Sequence, residues 1–132
     1  MRTLLLIFVF SFSIHSGFSQ DTTQSVKGEV LVVVEQMPEY PGGNSAMSDF
    51  IRQNIKYKKR EKKEGASGTV YVTFVVDKDG YIRNASILKN NSGYDEYAEE
   101  ALRVVKIMPK WIPGKQNGKN VNVQYNLPIK FT

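Results

Sequence analysis

Along the C-terminal stretch of this chain, large apolar residues alternate with polar ones. Val121, Val123, Tyr125, Leu127, Ile129 and Phe131 form one set, and Asn120, Asn122, Gln124, Asn126, Pro128 and Lys130 the other. A period of two puts each set on its own face of a strand. The pattern predicts a half-buried strand, with its apolar face on a core and its amide-rich face toward water. Pro128 points to a sheet edge, because proline has no N–H to give a ladder and is confined to edges, strand starts and bulges. An edge strand is either blunted or open to pairing with another extended segment.

The same reading organises the rest of the chain. Residues 30–34 are a continuous apolar run and predict a first strand. Met37-Pro38-Glu39-Tyr40-Pro41-Gly42-Gly43 ends it in an irregular turn, since proline and glycine both punctuate. Asn44 or Ser45 is placed to cap a helix, and Met47, Phe50, Ile51 and Ile55 recur on one helical face. A glycine-bounded loop runs to Gly68. Val70, Val72, Phe74 and Val76 then face one way, with Tyr71, Thr73 and Val75 opposite. Asp77-Lys78-Asp79-Gly80 predicts a hairpin turn in which the glycine takes a positive φ. The return strand is expected from Tyr81 to about Leu88. Asp95 opens a second helix, with Glu96 near the positive end of its dipole. Ala98, Ala101, Leu102, Val105 and Met108 form the buried stripe of that helix, and Pro109 stops it. The sum is an α+β fold: a two-layer sandwich, with a small antiparallel sheet of about three strands and two helices on one face.

The N-terminus adds a compartment. Met1-Arg2 is a short positive region, residues 4–12 are a short apolar run, and Gly17-Phe18-Ser19 supplies small residues where a signal peptidase reads. This is the pattern of a secretory signal peptide, and the run falls short of the ~18–20 residues that span a bilayer. The expected division is a signal peptide at 1–19, a polar lead-in with a possible short strand at 20–36, and one domain at 37–132. The expected location is the periplasm; the alternative is anchoring by an uncleaved N-terminal segment. The chain has no cysteine, hence no lipobox and no disulfide to hold a small core together. About 110 residues after cleavage suffice for one domain with one core.

Charge narrows little. Lys and Arg number 18 and Asp and Glu 13, a net of +5, or +4 once Arg2 leaves with the signal. The basic residues cluster at 56–63, including Lys58, Lys59, Arg60, Lys62 and Lys63. Such a patch suits an anionic surface, and export turns the reading from nucleic acid to the cell envelope. The plainer reading, a solvated loop or helix end, is the preferred one.

Candidate chemistry is sparse. The single histidine, His15, lies in the signal segment, so Ser-His-Asp and Cys-His sites and His/Cys zinc sites have no residues to build on. Glu96, Glu99 and Glu100 share a helix whose solvated face explains them. Asp77-Lys78-Asp79-Gly80 begins like a calcium loop but lacks the closing glutamate. Gly42-Gly43 before a helix lacks the Lys-Ser pair of a phosphate loop. No enzymatic activity, cofactor or small-molecule substrate is expected. Trp111, held between Pro109 and Pro113, is expected to pack beneath the sheet as a rigid plug.

Several of these pieces occur together in a specific order. They are Glu35-Gln36-Met37-Pro38-Glu39-Tyr40-Pro41-Gly42-Gly43, Asn54-Ile55-Lys56-Tyr57, and Gly68-Thr69-Val70-Tyr71-Val72-Thr73-Phe74-Val75-Val76 with Asp79-Gly80 and Ile82. Glu100-Ala101-Leu102-Arg103-Val104-Val105, Met108-Pro109-Lys110-Trp111-Ile112-Pro113-Gly114-Lys115 and the last strand follow. In this order residues 34–131 resemble the TonB family C-terminal domain, in the form typical of Bacteroidetes-type energy transducers. The chain departs from that pattern after Tyr57, where the family usually has proline and this chain has Lys58-Lys59-Arg60-Glu61-Lys62-Lys63-Glu64. The resemblance implies the terminal domain of a TonB-type transducer exported on its own, without the inner-membrane helix and proline-rich spacer of a full-length one. It also implies that the last strand pairs with an extended peptide, the short N-terminal box of an outer-membrane TonB-dependent transporter, through Val121, Asn122, Val123, Gln124, Tyr125 and Asn126. Two alternatives stand beside it. The same edge can pair with a second copy to give a homodimer, or Lys58, Lys59, Arg60, Lys62 and Lys63 can contact the envelope surface.

Overall fold

The computed structural model describes residues 26–132. The expected signal peptide and the first residues of the lead-in lie outside the described residues. In chain order the elements are β1 (Val30–Leu31), α1 (Gly43–Asn54), β2 (Thr69–Val76), β3 (Ile82–Asn90), α2 (Asp95–Lys106), β4 (Gly114–Gln116) and β5 (Lys119–Lys130). The sheet runs β1-β5-β2-β3, with β4 paired to β5.

The alternation at the C-terminus places β5 as expected. Val123, Leu127, Ile129 and Phe131 are buried, while Gln124, Asn126, Pro128 and Lys130 are exposed. Val70, Val72, Phe74 and Val76 of β2 face the same core. Met47 from α1 and Tyr97, Ala98, Ala101 and Val105 from α2 close it, so both helices lie on one face of the sheet. The opposite face of β2 is less open than alternation suggests. Thr73 and Val75 are buried there because β2 is an interior strand, flanked by β3 and β5.

Four expectations change. The sheet is mixed and larger than about three antiparallel strands, because β1 adds in parallel and β4 adds a short hairpin. The last strand is an edge only in its C-terminal part, where β2 alone pairs with it; β1 and β4 hold its beginning. The first strand spans two residues, not five. After Leu31 the chain turns away so that Gln36 can pair with Lys115 and Glu39 with Ile112, and Val32 and Val33 are left in solvent. Finally, neither Asn44 nor Ser45 caps α1. Gly42 and Gly43 take left-handed φ of 89° and 86°, Gly43 N–H donates to Tyr40 O at 2.8 Å, and the helix starts at Gly43 with no side-chain cap.

The corner before β4 is built around Trp111, which is 3% exposed. Its ring meets Tyr40, Phe74 and Tyr125 at centroid distances of 5.8, 5.4 and 5.1 Å. Burying about 200 Å² of such a ring at ~25 cal/mol per Å² is worth about 5 kcal/mol. That outweighs the ~1–3 kcal/mol of leaving a buried donor unpaired, and Trp111 Nε1 has no hydrogen-bond partner. The backbone locks the plug to the β2–β3 turn. Trp111 N–H donates to Gly80 O at 2.8 Å, and Gly80 N–H closes the turn on Asp77 O at 2.9 Å. A Cβ at Gly80 would stand 2.1 Å from Trp111 O, at a φ of +91°. Gly80→Ala is therefore expected to lower stability by about 2–4 kcal/mol in urea unfolding; a change under ~0.5 kcal/mol, the range of a neutral surface change, would refute this packing.

Candidate functional site

The antiparallel register of β2 with β5 is regular from Thr69–Lys130 to Val76–Val123. Just beyond it, Phe131 N–H donates to Gly68 O at 2.8 Å. Backbone groups alternate in direction along a strand. So the N–H and C=O groups of Val123, Tyr125, Leu127 and Ile129 point to β2, and those of Asn122, Gln124, Asn126, Pro128 and Lys130 point to the opposite edge. Pro128 is thus tolerated inside a strand fully paired on one side, because its missing donor falls on the other.

Part of that opposite edge is occupied. β1 pairs in parallel, with Val30 opposite Asn122 and Leu31 opposite Val123. In a parallel ladder, a residue facing its neighbour bonds to the residues on either side of its opposite number. This register therefore uses Asn122 N–H with Glu29 C=O, Asn122 C=O with Leu31 N–H, and Gln124 N–H with Leu31 C=O. The Asn122 side chain strengthens the junction. Its Nδ2 donates to Lys27 O at 3.0 Å and Glu29 O at 3.1 Å, and its Oδ1 accepts from Lys78 N–H at 3.0 Å. Beyond Gln124 N–H, no strand among the described residues pairs with this edge as far as Lys130.

The sheet has a second open edge, along β3, but its geometry is unsuited to a ladder. The register with β2 shifts twice, each time leaving an extra residue on β3, and Asn84 there has a φ of 52°. Bulges of this kind twist and blunt an edge. The regular, extended edge is that of β5.

The six residues expected to bind a partner divide by this geometry. Asn122, Gln124 and Asn126 aim their backbones at the edge. Val121 is held by β4, opposite Gly114. Val123 is fully buried, and Tyr125 packs on Phe74 and Trp111; the backbones of both serve β2. Of the amide side chains, Asn122 is 3% exposed rather than solvated. Gln124 Nε2 donates to Thr73 Oγ1 at 2.9 Å. The pattern alone does not reveal Asn122 as a clamp, because its partners lie 93 and 95 residues away in sequence. Next to the far end of the edge, Ile51, Arg52 and Ile55 of α1 and Pro128 and Lys130 of β5 bound an open groove of about 350 Å³.

The basic segment is exposed but tethered. Tyr97 Oη donates to Lys58 O at 2.8 Å and accepts from Arg60 N–H at 3.1 Å. Tyr94 Oη donates to Glu61 O, and Lys63 Nζ lies 4.8 Å from the Tyr94 ring centre. Arg60 pairs with Glu96. Lys58, Lys59 and Lys62 form no ion pair among the described residues and face water, as a solvated loop does. Tyr57, where the segment begins, packs on Tyr97 and Phe131, and its Oη donates to Thr132 O at 2.7 Å and accepts from Thr132 N–H at 3.1 Å. The segment is thus a strap over α2 that holds down the chain end. Glu100 joins it from the helix: its carboxylate accepts from Arg103 Nε at 2.9 Å and Lys56 N–H at 2.7 Å.

Among the described residues no group of three His, Cys, Asp or Glu side chains could hold a metal ion, and no helix is long and apolar enough to cross a membrane. The family described as Gram-negative bacterial TonB protein C-terminal matches residues 53–132, more than half of the chain. No curated protein and no solved structure matches it.

The Arg103 hydrogen bonds hold the Glu100 carboxyl below its ordinary 4.5; burial opposes this, and Lys56 N–H adds to the lowering. A depressed carboxylate contributes stability that is present above the unfolded value and lost as pH falls through the folded one. Glu100→Gln is expected to lower stability at neutral pH, with the gap to the unaltered chain closing as pH drops below 4.5. Urea midpoints measured across pH 3–7 check this, and a gap independent of pH would contradict it.

Proposed function

The chain belongs to the family of the Gram-negative bacterial TonB protein C-terminal, and from that membership we propose that it is a periplasmic binding module of TonB-dependent transport across the outer membrane. It takes an extended peptide of a TonB-dependent transporter as an added strand on the free edge of β5. Its work is recognition, not chemistry. The observation that carries this reading is the regular edge of β5, paired to β2 on one side and unpaired from Gln124 C=O to Lys130 on the other. Main-chain bonds at Asn126 would supply affinity, and the exposed side chains of Gln124, Asn126 and Lys130 would select among peptides. The groove against α1 continues the edge and offers Ile51 and Ile55 to an apolar side chain, with Arg52 and Lys130 at its rim for an acidic one.

The decisive variant is Asn126→Pro. Asn126 N–H points to the free edge, so proline there removes a donor from the proposed ladder and none from β2. Proline at Val123 would instead break the β2–β5 ladder and unfold the sheet. Asn126→Pro is expected to remain folded and to lose at least tenfold in affinity for peptides from transporter N-termini, read by amide NMR shifts. Unchanged affinity would place the peptide elsewhere. A second copy of the chain is the competing occupant of the same edge, and a mass that rises with concentration and falls to monomer in Asn126→Pro would favour it.

A further inference from the structure

β1 and an added peptide claim the same backbone groups. β1 takes both backbone groups of Asn122 and the N–H of Gln124, and Pro128 has no N–H. Between them Asn126 is the one free donor among the described residues. A ladder as long as β2 makes on the opposite side cannot form on this edge while β1 is in place. We infer that β1 is a displaceable cover: residues 27–33 occupy the first part of the strand-accepting edge in the free chain and leave it when an extended peptide binds. This deepens the strand-addition reading and rests on it.

Three features fit a cover better than a permanent strand. The pairing is short, two residues against the eight of the β2–β5 ladder. Its side chains are poorly anchored: Val30 and Leu31 are half-buried, and Val32 and Val33 are 67% and 84% exposed, whereas Val123 across the ladder is fully buried. The third feature is the clamp. Asn122 Nδ2 holds the segment through the main-chain carbonyls of Lys27 and Glu29, groups that every extended peptide carries. An incoming strand can therefore take over the same bonds, so the exchange leaves no buried polar group unpaired. The tether on the far side of β1 is firm. Val34 is buried and Gln36 and Glu39 bridge to Lys115 and Ile112, so the segment can lift without disturbing the core. The fraction of molecules with the edge uncovered then scales the apparent affinity for any strand that binds there.

The test uses the full chain, its Leu31→Pro variant, and a synthetic peptide with the sequence of residues 27–33 added in trans. Proline removes the Leu31 N–H that the register gives to Asn122 C=O. The variant is expected to bind the free segment about tenfold more tightly than the unaltered chain does, with NMR shifts at Asn122, Gln124 and Asn126, and to gain similarly for transporter peptides. If a folded Leu31→Pro chain takes the segment no more tightly than the unaltered chain, the inference fails. If the segment binds as expected but no transporter peptide does, the cover stands and the transporter reading falls. Should the variant not fold, hydrogen exchange on the unaltered chain decides. The Leu31 and Gln124 amides are expected to exchange at least tenfold faster than those of Val123 and Leu127, and equal protection would overturn the proposal.

Discussion

The ladder between β2 and β5 joins residues about fifty positions apart over eight aligned pairs without a break. Everything else in the molecule takes its place from it. Its register puts Val70, Val72, Phe74 and Val76 on the same face as Leu127, Ile129 and Phe131, and that shared face is what the two helices cover. A slip of one residue would turn β5 over and bring its amides into the core. The same register decides which backbone groups of β5 are spent on β2 and which are left for the other edge. Fold and candidate site are therefore two consequences of one pairing.

The ends of the ladder are held by aromatic residues in different ways. At one end Trp111 fills the corner beneath β2 and β5, and its backbone locks against Gly80, a position that tolerates no side chain. At the other end Tyr97 and Phe131 stack, Tyr57 meets both edge-on, and Tyr57 Oη holds the chain terminus. The basic segment that departs from the family pattern lies over this second cluster, tied down by Tyr94 and Tyr97. Its charge is on the surface because its backbone is needed underneath, which explains how an unusual sequence is accommodated without changing the fold.

The two open edges of the sheet, along β3 and along the C-terminal part of β5, meet the hazard of stray pairing differently. β3 is irregular, with two register shifts and a left-handed Asn84. β5 is regular but partly covered by β1, clamped by Asn122, and interrupted at Pro128. The two-residue pairing with β1 at one end and Pro128 near the other limit how many donors of this edge are free at once, which blunts it against indiscriminate pairing.

Much of this was legible in the residues themselves. The period-two stripes of β2 and β5, the helical stripes of Met47 and of Ala98, Ala101 and Val105, the turn at Asp77-Lys78-Asp79-Gly80 and the burial of Trp111 all follow from local patterns, because burial selects apolar residues at the period of each element. The inference from Pro128 to an edge holds for the part of the strand where it lies and fails at its beginning, where β1 pairs, since a sequence does not say how far along a strand each side is paired. What only the tertiary structure decided is the long-range pairing. Val30–Leu31 beside Asn122, Gly114 beside Val121, and Asn122 gripping Lys27 and Glu29 join segments that share no local signal. Backbone hydrogen bonds are alike at every residue, so their partners are fixed by the packing of the whole chain and not by the side chains that flank them.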